Sequence, residues 1–155
     1  MDADLKKAVT TLWGGGFTCV LCREDTVITD KRRGVRPLLE LLDGELDLKG
    51  FSAADKVVGK AAAFLYLLLG VSRVYAGVIS QPARDVLTGN GITVSWDTLV
   101  PAIQNRDQTG FCPMETAVLG IQDPLAAKSA ILQTLASLQV KNSDTTPRSS
   151  DMLRK

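Results

Sequence analysis

Histidine is missing altogether from the 155 residues. Its absence removes Ser-His-Asp and Cys-His catalysis, and histidine-rich metal sites, from this chain. Cysteine is held to three residues, Cys19, Cys22 and Cys112. Met1–Lys7 has no apolar signal region, so these are expected as reduced thiols and not a disulfide framework. Excess charge of either sign is also lacking, with a net charge of +1 and 23% charged residues. That balance gives no push toward nucleic acid or an acidic membrane, although Lys31-Arg32-Arg33 with Arg36 forms one local basic cluster. The expectation is a cytoplasmic protein with no metal, no cofactor, no membrane and no specific nucleic acid among its partners.

What is present is one domain's worth of chain with 45% hydrophobic residues, enough to bury a core. Residues 1–140 are expected as that domain. From Lys141 the chain turns polar and turn-rich, and residues 141–155 are predicted to be a disordered tail.

The most apolar stretch runs from Phe51 to Leu69. Ser52 followed by Asp55 has the spacing of a capping box, which predicts a helix over 52–69. Nearly every residue from Val57 onward is apolar, so this helix is expected to be buried on all sides. At about 25 Å, with Lys56 and Lys60 in its first turns, it is too short to span a bilayer comfortably.

Around it the pattern alternates. Leu5, Ala8, Val9 and Leu12 fall on one helical stripe in residues 2–13, with Asp2 and Asp4 suiting the helix dipole in the first turn. Residues 17–23 and 26–29 read as strands joined by Glu24-Asp25. A short helix is expected over 33–44 with Pro37 in its first turn. Residues 71–80, 82–87 and 92–96 read as strand, helix and strand, a βαβ unit with parallel strands. A polar loop covers 97–111, and helices are expected over 112–122 and 124–138. The predicted architecture is α/β, a three-layer α-β-α mixed sheet with an N-terminal helix and a β-hairpin. In such folds ligands gather at the carboxyl ends of parallel strands, where helix N-termini favour an anion.

Residues Ala54–Ala63, with Asn105–Glu115 and Arg33–Leu39, resemble a small prokaryotic family catalogued as a domain of unknown function. The resemblance covers roughly residues 4–122 and implies a cytidine-deaminase-like fold. Zinc deaminases carry His-Ala-Glu or Cys-Ala-Glu at the start of the central helix and Pro-Cys-x-x-Cys after the next strand. Here the first position reads Ala54-Asp55-Lys56, and the second reads Pro82-Ala83-Arg84-Asp85-Val86. The zinc ligands are gone, and zinc deamination goes with them.

Two readings of the polar residues stand side by side. In the first, the protein binds an anionic small molecule such as a nucleotide or phosphorylated metabolite. Lys56, Lys60 and Arg106 hold the anion, Asn105 and Thr109 read polar groups, and Asp55 and Asp107 orient or act as acid/base. Glu115 joins the binding set, and a sub-case makes Cys112 a nucleophile at a helix N-cap, as in a transferase-type enzyme. Lys60 and Arg106 are expected to face one shared site. In the second reading the protein is a non-catalytic interaction or scaffold protein. Asp55 and Glu115 then cap, the lysines reach solvent, the 105–109 loop is self-paired, and a homodimer forms through a sheet edge or helix faces. Cys19 and Cys22, three apart on a strand, are expected on opposite faces as packing residues.

Overall fold

The computed structural model describes residues 2–103 and 112–145, with side chains described as far as Leu138. Helix α1 (Ala3–Gly15) leads into the hairpin β1 (Cys19–Arg23) and β2 (Thr26–Asp30), followed by α2 (Arg36–Asp43). Then come β3 (Ser52–Val58), α3 (Lys60–Leu69), β4 (Arg73–Ser80), α4 (Gln81–Gly89) and β5 (Thr93–Val100). The short α5 (Pro113–Ala117) and the long α6 (Pro124–Thr145) complete the described chain.

The sheet has five strands in the order β2-β1-β3-β4-β5. β1 is antiparallel to both its neighbours, while β3, β4 and β5 run parallel. Helix α1 covers one face, packing Leu5, Ala8 and Leu12 against Val20, Cys22, Ala54 and Tyr75. The remaining helices cover the other face, where Phe64, Leu65 and Tyr66 of α3 meet Leu21, Val74, Ala76 and Ile79. This is a mixed α/β sheet flanked by helices, as the pattern predicted. Cys19 lies on the α3 face and Cys22 on the α1 face.

One expectation is corrected. Ser52–Val58 is the central strand β3, and the helix expected from Ser52 begins only at Lys60. Ser52, Ala53 and Ala54 are buried, because β3 has β1 on one side, β4 on the other and helices on both faces. A strand buried on both faces carries no polar alternation, so its sequence runs into the helix as one apolar block. Gly59 marks the break, extended at φ −95° and ψ 179° as the N-cap of α3. Other boundaries differ as well. The strand expected over 92–96 runs from Thr93 to Val100, taking in residues expected in the 97–111 loop. The expected helix over 112–122 is confined to Pro113–Ala117, and the last helix continues past Leu138 to Thr145, into the stretch expected as a disordered tail.

Side-chain alternation along β3 slips once. Asp55 faces α3 and Lys56 faces α1, yet Val57 is 48% exposed and Val58 re-enters the α3 core. Ala76 and Ile79 of β4, and Val94 and Leu99 of β5, share the slip, while the pairing register stays constant. The three parallel strands therefore change aspect together near their carboxyl ends, beside the start of α3.

Candidate functional site

Helix α3 starts at the carboxyl end of β3, and its first amides point out of the helix without an intrahelical acceptor. They are not left to solvent. Glu115, on α5, brings its carboxylate to them: Lys60 N–H donates to Oε1 at 2.8 Å and Ala61 N–H to Oε2 at 3.1 Å. A carboxylate gripped by two amides at a helix start gains both charge-assisted hydrogen bonds and the helix dipole. Gly59 makes room for it, since a Cβ there would lie 2.6 Å from Glu115 Cδ. The sequence places Glu115 at the third residue of its own short helix. Its partner is a different helix, 55 positions earlier in the chain.

Cys112 lies one turn before Glu115, as the N-cap of α5, and its N–H donates to Ile103 O at 3.2 Å. Its side chain makes no capping bond, and it is partly buried. Lys60 holds its ammonium 5.8 Å from the Phe64 ring centroid, on the same helix. Lys60, Cys112 and Glu115 are thus brought to one end of α3.

Lys56 is not with them. Its ammonium lies 5.7 Å from the Trp13 ring on the α1 face of the sheet. The shared helical face expected for Lys56 and Lys60 required a helix through both, and Lys56 is on a strand. Trp13 in turn donates to the Tyr75 hydroxyl at 3.0 Å, and Tyr75 donates to Asp97 on β5.

Asp55 belongs to a third cluster, on the α3 face. The buried Tyr66 hydroxyl donates to Asp55 Oδ2 at 2.7 Å and lies 3.2 Å from Cys19 Sγ. Val57 N–H donates to the other carboxylate oxygen at 3.2 Å. Burial pushes the Asp55 carboxyl up to about 6, against the opposing pull of Tyr66 and the backbone amides. Burial, with the Asp55 charge beside it, pushes the Cys19 thiol and the Tyr66 hydroxyl far up as well. A cavity of about 120 Å³ opens beside Cys19, between the hairpin and α2. At its mouth Arg32 binds Asp30 and Glu40 together, at 2.8 Å and 2.7 Å. Arg32 holds both carboxyls below their ordinary range.

Asn105, Arg106, Asp107 and Thr109 lie outside the described residues, and with them the expected pairing of Lys60 with Arg106. Sequence reasoning missed Tyr66 and Cys19 as partners of Asp55. The signal was a tyrosine within an otherwise apolar helix, whose hydroxyl must find a partner when buried. Among the described residues no cluster of three or more His, Cys, Asp or Glu side chains could hold a metal ion. None of the described helices is long and apolar enough to cross a membrane.

The family model described as "TM1506: Domain of unknown function (DUF1893)" matches residues 7–135. The chain is also similar to a solved structure, the DUF1893 family protein TM1506 from Thermotoga maritima. That likeness has 28% sequence identity and a TM-score of 0.76, over 88% of this chain and 92% of the other. No curated protein matches the chain.

Proposed function

The chain belongs to the DUF1893 family of unknown function, and from its own residues we propose that it is a small-molecule binding domain for an anionic ligand. The ligand class is a nucleotide or related phosphorylated metabolite, and its seat is the N-terminus of α3. The observation that supports this is the Glu115 carboxylate on the Lys60 and Ala61 amides. It is an internal anion at the carboxyl edge of the parallel strands, where α/β folds take their ligands. A ligand phosphate competes with Glu115 for those two amides, and Lys60 swings from Phe64 to meet it. Cys112, one turn away, is the residue a covalent step would use.

The scaffold is proposed to be cytidine-deaminase-like, with the corrected helix start changing where its motifs fall. The position of His-Ala-Glu becomes Gly59-Lys60-Ala61 at the start of α3. That of Pro-Cys-x-x-Cys becomes the start of α4, Ser80-Gln81-Pro82-Ala83-Arg84-Asp85. Neither stretch holds a histidine or cysteine, so the residues present do not fit a zinc site of that kind.

A second reading is favoured by the same bond. Glu115 satisfies the α3 amides completely enough to serve only as a cap, in a non-catalytic interaction protein. Thermal-shift titration with inorganic phosphate, nucleotides and sugar phosphates separates the two, in wild type and in Glu115→Gln. Under the binding reading an anion raises the melting temperature, and Glu115→Gln lowers the half-saturating concentration because its competitor has lost its charge. No shift from any anion in either protein supports the second reading and sinks the first.

A further inference from the structure

The two edges of the sheet are built differently. β2 has five residues, Thr26–Asp30, and its end is guarded by the ion pairs of Arg32 with Asp30 and Glu40. Short strands and edge charges are the usual means of keeping a sheet edge from pairing with another chain. β5 has eight residues, Thr93–Val100, with no lysine, arginine or proline among them. Trp96, Asp97 and Thr98, at its centre, are all exposed. Its backbone faces are fixed by one bond: Thr93 N–H donates to Ser72 O on the β4 side. By alternation, the N–H and C=O groups of Val94 and Trp96 point away from β4, to an edge where no strand among the described residues pairs.

We propose that β5 pairs antiparallel with β5 of a second copy of this chain, about a two-fold axis through Trp96. The self-complementary register argues for this occupant. With Trp96 opposite Trp96 of the second copy, the two residues exchange both of the backbone hydrogen bonds that they direct away from β4. Ser95 then falls opposite Asp97 of the second copy, and Asp97 opposite its Ser95. Ser95 Oγ is the one buried side-chain polar atom with no hydrogen-bond partner among the described residues, and a rotamer change turns it to that carboxylate. Asp97 already accepts one bond from Tyr75, through Oδ2, which leaves Oδ1 for Ser95. Trp96, 37% exposed in the single chain, packs beside its symmetry mate. A symmetric interface of this kind closes on itself and stops at two copies. The inference does not depend on the ligand reading, because the residues it uses, Val94 to Asp97, make no part of the Glu115 contact with Lys60 and Ala61.

Sedimentation velocity on the full chain, from about 1 to 300 µM, spans the range in which a modest interface shows itself. The expected result is a dimer that Trp96→Lys and Trp96→Pro each convert to a monomer. Trp96→Lys sets two charges on the axis, and Trp96→Pro removes only the outward N–H, which an edge strand tolerates. The register has its own test, in a Cys112→Ser background under mild oxidation. Trp96→Cys should cross-link to itself, since paired Cα atoms lie about 5.5 Å apart. Val94→Cys should not, its copies being separated by four residue rises, roughly 14 Å. A wild type that stays monomeric throughout the range overturns the proposal. So does a dimer that survives both substitutions, or cross-linking at 94 in place of 96; the cross-linking result stands even if either Trp96 variant fails to fold.

Discussion

The carboxyl group of Glu115 occupies the space that a side chain on Gly59 would need. A β-carbon at Gly59 would lie 2.6 Å from Glu115 Cδ, while the amides of the next two residues hold the carboxylate at 2.8 Å and 3.1 Å. Gly59 has φ −95°, so its backbone would accept any residue. The constraint is the carboxylate, and it ties α5 to the helix at the centre of the domain.

Gly59→Ala should therefore destabilise the protein by about 1–3 kcal/mol, through loss of the Glu115 cap. In an Glu115→Ala background the same substitution should cost far less, because nothing is left to displace. Urea unfolding of the four proteins in that cycle measures the coupling. Additive losses would mean that Gly59 is glycine for another reason.

The Asp55 cluster gives a pH dependence with a definite sign. Its carboxyl is raised to about 6 by burial, so the folded protein binds that proton more tightly than the unfolded chain does. The stabilising contribution of the protonated form is complete below the unfolded value, about 4. It is lost as pH rises through about 6, with a cost of up to about 3 kcal/mol above that. Wild-type stability measured against Asp55→Asn from pH 4 to 8 isolates this group from the other carboxylates. The variant should gain on wild type as pH rises. A difference that stays flat would show that Asp55 titrates normally.

Tyr66→Phe should move that window upward. The Tyr66 hydroxyl donates to Asp55 at 2.7 Å and favours its charged form. Without that donor, the proton is held to higher pH, and the fall in stability should extend above pH 6. The variant should also lose about 1–3 kcal/mol near neutral pH, from a buried carboxylate with one partner fewer. A profile that keeps its wild-type midpoint would remove Tyr66 from the account of Asp55.

Much of the element order was legible because local signals agreed with the fold. The hairpin announced itself by two β-rich runs around Glu24-Asp25, and Glu24 does adopt a left-handed φ of 54° there. Pro37 and Pro82 marked the first turns of α2 and α4. Strand alternation alone separated Cys19 from Cys22. The central strand was not legible, because Ser52–Val58 meets protein on both faces and so lost the polar alternation that identifies strands. Ser52 and Asp55 imitate a capping box, yet Asp55 bonds Tyr66 and Ser52 lies 3.4 Å from Asp2. Misplacing the helix start carried Lys56 to the wrong face. The Glu115 contact lay beyond reach for another reason: no spacing rule links residues that only tertiary packing brings together.

Thiol chemistry should single out Cys112. Cys19 and Cys22 are buried, and desolvation raises both thiols above their ordinary value. The thiolate is the reactive form, so both should be inert in the folded protein. Cys112 is only partly buried. Ellman's reagent should label one thiol quickly in native protein and three after unfolding, and Cys112→Ser should abolish the fast phase. A second fast thiol in the folded state would place Cys19 or Cys22 in a more open environment than the sheet provides.

The two lysines that the sequence offered as a pair now provide the sharpest discrimination between ligand sites. Lys60 heads α3, beside the amides that hold Glu115, whereas Lys56 lies over Trp13 across the sheet. Lys60→Met should weaken binding of an anion seated on α3 by roughly tenfold, the equivalent of one charge-assisted contact of about 1.4 kcal/mol. Lys56→Met should leave that affinity within about twofold, because the sheet separates it from the site and salt screens what remains. It should instead change Trp13 fluorescence, by removing the cation from the indole face. Isothermal titration with the best anion from the thermal-shift panel reads both variants. If Lys56→Met weakens binding as much as Lys60→Met does, the ligand sits on the α1 face, by Trp13 and Tyr75, and the α3 seat is wrong. Loss confined to Lys60→Met would place the anion where Glu115 now lies.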